Sequence, residues 1–452
     1  LRSPHLFMEH AVRKNIACNS YGERQQEIRK WFGTKAVYTS CHDLITKIVM
    51  ADCDGDKSLV IADKTIIEVA ERNLKKFDIV PLFYDMKKAL PSQLTNENIY
   101  LESKPRYEIL DGLRGVASLL VIIFHIGETY CVPGEQQWLN HGYLAVDFFF
   151  VLSGFVIGYA YDDRWNKMSL GGFFKRRLTR LHPMVVVSNV IGACFFFFGA
   201  SYFTSSLEIP IWKFGLCFIM GMFIIPCGRG LDIRGWNEMN SFNGPIWTLT
   251  FEYIGNILYA LIFRHLPTVI LCILCAGTAI FTLDFTLGWD LFNMLPVHEF
   301  VNEAGEVITY GGPQYHVKGG WSLDPAQIYL GFTRLLYPFL CGLIISRILP
   351  KRSTAENPSG SPIRFKGGFI WTSLILITIL SVPCITGEDG VANGLYQAIM
   401  ILVAFPILVL AGAGSTIKSP ALAKVCKFLG DISYPIYITH YPLIYLHMGF
   451  VA

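Results

Sequence analysis

Long apolar runs recur from about residue 107 to the end of the chain, with short polar stretches between them. A helix needs about 20 consecutive, mostly apolar residues to cross a bilayer. The runs predict ten spanning helices, near residues 109–131, 143–161, 184–200, 211–227, 245–264, 267–285, 326–348, 368–385, 395–413 and 432–450. The pattern therefore predicts an all-α polytopic membrane protein with about ten transmembrane helices.

Charged residues divide the chain into two parts. Residues 1–105 hold 30 of the 73 Lys, Arg, Asp and Glu residues, a density usual in soluble proteins. We therefore predict a small soluble mixed α/β segment over 1–104 and a membrane domain over 105–452. The chain starts at Leu1 without an initiator methionine, so we interpret the first segment as a fragment. The net charge of +3 is too small for a nucleic-acid-scale basic surface.

Cations between the predicted spans suggest an orientation. Lys175, Arg176, Arg177 and Arg180 precede Pro183 with no acid among them. The positive-inside rule makes the loops at 162–182 and 350–366 cytoplasmic and the acidic loop at 286–325 external. The predicted spans, however, cross the membrane an even number of times between residues 182 and 286. One of the predicted spans must therefore be wrong.

The first predicted span contains an arginine and a histidine. Arg114 and His125 stand eleven residues apart, which places them on nearly the same helix face, roughly 16 Å apart along the axis. Asp111 lies one turn before Arg114 and is a candidate partner, which leaves His125, near the middle of the run, as the reactive group. Ionisable groups inside a span are functional candidates. The alternative is that Arg114 extends to a headgroup and His125 is a packing residue.

Further candidates lie in later spans. Arg177 and Arg180, one turn apart, could grip the phosphates of a nucleotide-type donor or could simply set topology. Glu252 lies inside an apolar run and needs a partner there; it could orient His125 or brace the bundle. Ser153 and Gly154 form a small pair that lets a neighbouring helix approach closely.

Three carboxylates alternate in the first segment, at Asp52, Asp54 and Asp56. This spacing could present all three to one divalent cation. The stretch resembles the magnesium-binding aspartate loop of phage and RNA-silencing RNA polymerases, although the second barrel of those enzymes has no counterpart here. We favour a solvated acidic turn or a remnant of a fused frame, and we predict no metal site.

Residues 107–450 resemble the acyltransferase-3 family of integral membrane O-acyltransferases. The resemblance rests on five motifs in order: Arg114 with ten residues to His125, FFFVLSGFV at 148–156, Arg177-x-x-Arg180, Trp247-Thr-Leu-x-x-Glu252, and Gly430-x-x-Ser433-Tyr434-x-x-Tyr437-x-x-His440. It implies that His125 is the catalytic histidine, with Arg114 in the same site, and that Arg177 and Arg180 bind the donor. Thr248 stands where the family usually has serine, and no carboxy-terminal esterase-like domain is evident.

We therefore predict a transferase of acyl groups other than amino-acyl groups. Acyl-CoA, most simply acetyl-CoA, is the expected co-substrate, and a hydroxyl of a glycan or lipid is the expected acceptor. His125 is the expected base, since histidine titrates near neutrality, and Glu252 is a further candidate catalytic residue. Membrane lipids are expected partners, nucleic acid is not, and the bacterial cytoplasmic membrane is the expected location. The alternative is a proton-coupled transporter or flippase that uses Arg114, His125 and Glu252. A membrane-tethered nucleic-acid enzyme is a third, weaker reading.

Overall fold

A computed structural model describes residues 2–3, 57–58, 68, 72, 107–131, 137–166, 168–198, 208–295, 297–301, 307–312, 314–349, 368–384, 390–415, 417 and 419–451. The chain divides into two compact units, Leu1–Leu94 and Thr95–Ala452. In the first unit, β1 (Arg2–Ser3) pairs antiparallel with β2 (Lys57–Ser58). Asp52, Asp54 and Asp56 lie outside the described residues, as does most of the predicted mixed segment. That segment and its boundary at 104 stay predictions.

The described part of the second unit consists mainly of α-helices. They are α1 Glu108–Tyr130, α2 Ala145–Tyr161, α3 Leu170–Phe197, α4 Ile211–Met222, α5 Trp247–Leu261, α6 Thr268–Thr286, α7 Pro325–Ile348, α8 Gly368–Ser381, α9 Val391–Ile399, α10 Phe405–Gly414 and α11 Pro420–Val451. A π-helical turn, Met400–Ala404, joins α9 to α10, so these two form one continuous span.

A helix lies at each of the ten predicted spans, but the count of ten crossings is not confirmed. Seven of the described helical segments are long and apolar enough to cross a membrane. The α4 helix has only 12 residues, about 18 Å, which is shorter than the roughly 30 Å hydrocarbon core. Without α4, the number of crossings between residues 182 and 286 is odd, and the conflict over loop orientation disappears.

The predicted boundary before the third span is wrong. The cations at 175–180 do not lie in a loop, because α3 begins at Leu170, capped by the hydroxyl of Ser169, and continues through Pro183 to Phe197. A proline inside a spanning helix is tolerated where neighbouring helices support it. With 28 residues, about 42 Å, α3 is longer than the roughly 30 Å hydrocarbon core, which leaves room for its cationic first turns outside that core.

The predicted external loop at 286–325 contains strands. Val297–Val301 (β3) pairs antiparallel with Val307–Gly311 (β4), with Glu299 opposite Thr309. The stretch contains short runs rich in β-branched residues, and its two strands pair with one another. This hairpin is a departure from the all-α prediction. The segment that follows it leads into α7.

Glycines allow two helix pairs to pack closely. The α1 and α11 helices run side by side in the same direction, and a Cβ on Gly115 would lie 2.4 Å from the carbonyl oxygen of Leu429. The α2 and α7 helices pack in the same way, since a Cβ on Gly154 would lie 2.0 Å from the carbonyl oxygen of Phe339. The predicted close approach at Ser153 and Gly154 is therefore confirmed.

A buried ion pair ties α2 to α7. The Arg334 Nη2 donates to Asp147 Oδ2 at 2.7 Å, and both side chains are almost inaccessible. Arg334 also donates to the carbonyl oxygens of Tyr143 and Gly319, so further N–H groups of its guanidinium are hydrogen-bonded. An intramembrane charge is tolerated when paired and fully hydrogen-bonded in this way. The pair fixes the register of α2 against α7.

Candidate functional site

A cavity of about 520 Å³ lies between α1, α2, α3, α5 and α11. Arg114, Arg177, Arg180 and Glu252, four of the five predicted site residues, line it. They come from three helices that are distant in sequence. The fold therefore gathers these four side chains into one polar chamber whose remaining walls are largely apolar.

Arg177 and Glu252 form the central ion pair of the cavity. Arg177 Nη2 donates to Glu252 Oε1 at 2.7 Å, and Ser153 donates to the same oxygen at 3.3 Å. Arg177 is buried, and its Nε has no hydrogen-bond partner among the described residues. Glu252 thus has the partner that its position inside an apolar helix requires. That partner is Arg177 and not His125.

Arg114 is held from two helices. Its Nη2 lies 3.3 Å from Asp111 Oδ1, the pairing that the spacing predicts, and donates to the carbonyl oxygen of Gly430 at 3.2 Å. Its Nε donates to Ser433 Oγ at 2.9 Å. Arg114 is partly exposed, and its three contacts orient the guanidinium group before a ligand binds. Arg114 also lines the cavity.

Arg180 differs from the other two arginines. It lines the same cavity, yet it makes no hydrogen bond or ion pair with any residue that the structure describes. Three carboxylates, Asp111, Glu252 and Asp431, also line the cavity. Glu252 pairs with Arg177, and Asp111 pairs with Arg114. Arg180 is therefore the cation most readily available to an anionic ligand.

His125 lies outside this cavity, near the other end of α1, five residues before Tyr130. Its Nδ1 lies 3.1 Å from Glu128 Oε2, and Lys318 Nζ lies 2.9 Å from Glu128 Oε1. An ionised carboxylate only accepts hydrogen bonds, so Nδ1 carries a proton, and in the neutral ring Nε2 then has the lone pair. His125 thus lies roughly 16 Å along the helix from Arg114, the separation that the eleven-residue spacing predicts, and outside the cavity that Arg114 lines.

The α11 motif supports both ends of α1. Ser433 contacts Arg114 near the cavity, whereas the ring of His440 stacks beside that of His125, with centroids 5.4 Å apart. Tyr437 hydrogen-bonds Thr248 at 2.9 Å, so threonine supplies the hydroxyl at the position where the family usually has serine. These contacts explain why the motif residues recur at a spacing of three to four along one helix face.

His440 is itself buried and oriented. Its Nδ1 donates to the carbonyl oxygen of Tyr437 at 2.7 Å, and its Nε2 has no hydrogen-bond partner among the described residues. The ring of Tyr441 lies 4.9 Å from that of His125 and 5.8 Å from that of His440. His125 is therefore enclosed on the α11 side by two aromatic groups.

Sequence reasoning did not single out Glu128 or Lys318. Glu128 follows His125 by three residues, a spacing that places the two side chains on one helix face and could have indicated their contact. Lys318 comes from the segment after the β3–β4 hairpin, and nothing local in the sequence indicates its position. Among the described residues, no cluster of His, Cys, Asp and Glu could hold a metal ion.

Comparisons with known proteins place the membrane domain in a family. The family model described as an acyltransferase domain, of the acyltransferase-3 type, matches residues 107–452. A proposed O-acetyltransferase of Staphylococcus aureus (strain COL) is 25% identical over 352 residues, which cover 76% of this chain and 51% of that protein. Protein 2 in the picA locus of Rhizobium radiobacter is 30% identical over 166 residues, 34% of this chain and 81% of that protein.

A second comparison confirms the polymerase resemblance and limits its extent. A DNA-directed RNA polymerase of Bacillus phage SPbeta is 48% identical over 100 residues, which are 22% of this chain and 11% of that protein. The chain thus spans a small part of the polymerase and about half the length of the staphylococcal relative. No solved structure matches. The family match covers the whole described helical unit and all five motifs, and the chain accordingly belongs to the acyltransferase-3 family.

Proposed function

We propose that this protein is a membrane-bound O-acyltransferase that moves an acyl group, most simply acetyl, from acyl-CoA to a hydroxyl, with His125 as the general base. One observation carries the proposal. His125 Nδ1 lies 3.1 Å from Glu128 Oε2, and in the neutral ring this contact keeps the proton on Nδ1 and leaves Nε2 to accept one. A carboxylate on the far nitrogen also stabilises the imidazolium that forms when the proton arrives.

The arginine-lined cavity supports an anionic donor. Phosphates are bound best by fork-shaped guanidinium groups, and Arg180 and Arg114 present such groups to the cavity. Arg177 shares its charge with Glu252, so it contributes to the donor site while remaining paired. In this proposal the phosphates of CoA lie at the Arg180 end of the cavity.

The distance between the two clusters fits the shape of this donor. Arg114 and His125 are separated by roughly 16 Å along α1. In acyl-CoA an extended pantetheine arm separates the phosphates from the thioester. A donor held by its phosphates in the cavity can therefore direct its thioester along α1 and α11 towards His125.

The chemical step follows from this placement. The acceptor oxygen attacks the thioester carbonyl carbon while its proton passes to His125 Nε2, the carbon–sulfur bond breaks, and the CoA thiolate leaves. The imidazolium then returns the proton to the sulfur. This direct transfer uses one base and needs no covalent acyl-enzyme.

Topology suggests how the two substrates arrive. The positive-inside rule places the cationic start of α3, and with it the arginine-lined cavity, at the cytoplasmic face. The His125 end of α1 then lies towards the external face. We propose that the protein resides in a bacterial cytoplasmic membrane, takes acyl-CoA from the cytoplasm and acylates a glycan or lipid acceptor from the other side.

Labelled acetyl-CoA tests the proposal. Membranes that contain the full chain should transfer label into a glycan or lipid fraction, whereas His125→Ala should lower the rate by about 10²–10⁴, the usual contribution of a general base. Protein yield and detergent stability should stay near wild type, since alanine suits a helix. Full transfer by His125→Ala would contradict the mechanism. Proton-coupled flux without any labelled product would favour the transporter alternative.

A further inference from the structure

Two side chains near His125, Glu128 and Lys318, are not among the residues predicted from the sequence, and both are held in place. Glu128 Oε2 accepts from His125 Nδ1, and Glu128 Oε1 lies 2.9 Å from Lys318 Nζ. The three groups form a row in which each carboxylate oxygen has its own partner. All three side chains are at most one-third exposed, so solvent competes only weakly for these contacts.

The segment that carries Lys318 is fixed on both sides. The Val317 amide donates to Gln397 Oε1 at 3.0 Å, and the Gly320 amide donates to Gln327 Oε1 at 2.6 Å. Gly319 and Gly320 have φ angles of +152° and +105°, a backbone conformation that residues with a Cβ rarely adopt. Their backbone therefore makes a turn that few other residues permit, and the turn directs Lys318 to Glu128.

We propose that Glu128 and Lys318 are positioning residues for His125. This inference rests on the proposed function, because it assigns them to the same reaction. Glu128 holds the tautomer in which Nε2 is unprotonated and offsets the charge of the imidazolium. Lys318 keeps Glu128 ionised and orients its two oxygens, so that one points at His125 Nδ1.

Glutamine and alanine at position 128 separate this role from simple packing. The glutamine amide can donate to Nδ1, which would favour the opposite tautomer with a proton on Nε2 and block the base. We expect Glu128→Gln to lower the turnover rate by about 10³–10⁴, as a wrong tautomer does in a catalytic triad. Glu128→Ala removes the orienting group without imposing the wrong tautomer, and its loss of rate should be smaller. A packing role predicts the reverse order, since glutamine keeps the shape and alanine leaves a gap.

The pH profile provides a second readout. Within the described part of the chain, the charged or titratable groups that contact His125 are Glu128 on its own helix and His440 and Tyr441 on α11, with Lys318 behind Glu128. Removing the carboxylate with Glu128→Ala should move the acidic limb of the rate profile to lower pH, because the imidazolium loses a nearby negative charge. Lys318→Met removes a positive charge and should move the same limb to higher pH.

The experiment uses the full chain in native membranes, with labelled acetyl-CoA as the probe and transfer into membrane fractions as the readout between about pH 5 and 9. Glu108→Gln serves as the matched control, because it removes an exposed carboxylate at the other end of α1. Glu108→Gln should retain the wild-type profile, and the two substitutions at 128 should show the expected order of rates.

Two outcomes overturn the inference, and they are distinguishable. Glu128→Gln that stays near the wild-type rate and profile while His125→Ala is inactive would remove the positioning role and leave the proposed function intact. Wild-type membranes that transfer no label would remove the proposed function and this inference together. The positioning role would be supported by a lower turnover rate for Glu128→Gln than for Glu128→Ala, together with opposite pH shifts for Glu128→Ala and Lys318→Met.

Discussion

Arg180 offers the sharpest test of the donor site. It lines the cavity with Arg114 and Arg177 but makes no hydrogen bond or ion pair with any described residue. Its loss should therefore leave no other charge unpaired. Arg180→Gln should weaken binding of the CoA donor while leaving the fold and the acceptor site unchanged.

The expected size follows from its contacts. A hydrogen bond to a charged group contributes about 1.5–3 kcal/mol, so the donor Michaelis constant should rise roughly ten- to a hundred-fold. Arg177→Gln should behave differently, because it leaves Glu252 without its 2.7 Å partner inside the bundle. Removing one member of a buried ion pair typically costs about 3–5 kcal/mol, so this variant should lose detergent stability as well.

Lys175 and Arg176 supply the matched control. Both are exposed on the same helix, one turn from Arg180, and neither lines the cavity. The double variant Lys175→Gln, Arg176→Gln removes two positive charges from the same cluster of cations that the positive-inside rule uses to set membrane orientation. Initial rates of label transfer at varied acetyl-CoA, together with cysteine-labelling of loop orientation, compare the variants. An unchanged donor constant in Arg180→Gln would refute the donor-binding role. An inverted orientation in either variant would assign the cations to topology alone.

Two further predictions concern other parts of the chain. Deletion of residues 1–104 should leave acyl transfer intact, because all five family motifs lie within 107–452; an inactive but correctly inserted truncation would contradict the two-module organisation. Glu238, in the loop before α5, has its pKa raised to about 7 by burial, although hydrogen bonding from Tyr445 and the charge of Arg234 oppose the shift. A carboxyl with a raised pKa stabilises the fold when protonated, so wild-type detergent stability should decline as pH rises from about 4.5 through 7. Glu238→Gln should remove that dependence, and equal melting profiles for the two proteins would contradict it.

The sequence determined the class of the molecule and the positions of its helices. Apolar runs of about 20 residues are strong signals, since water-free surroundings require every backbone group to be paired within the segment. The same local logic anticipated the pairing of Asp111 with Arg114 and the close approach at Gly154. It misjudged the start of α3, because a proline suggests a boundary unless neighbouring helices support it.

The tertiary structure alone decided how the candidate residues are grouped. Helical periodicity places Arg114 and His125 on one face, but it says nothing about what other helices bring to either end. The packing of α3 and α5 brings Arg177 and Glu252 to Arg114, whereas a glycine turn in a distant segment brings Lys318 to Glu128 beside His125. Such contacts join residues many positions apart, and their partners are selected by the shape of the bundle and not by any local pattern.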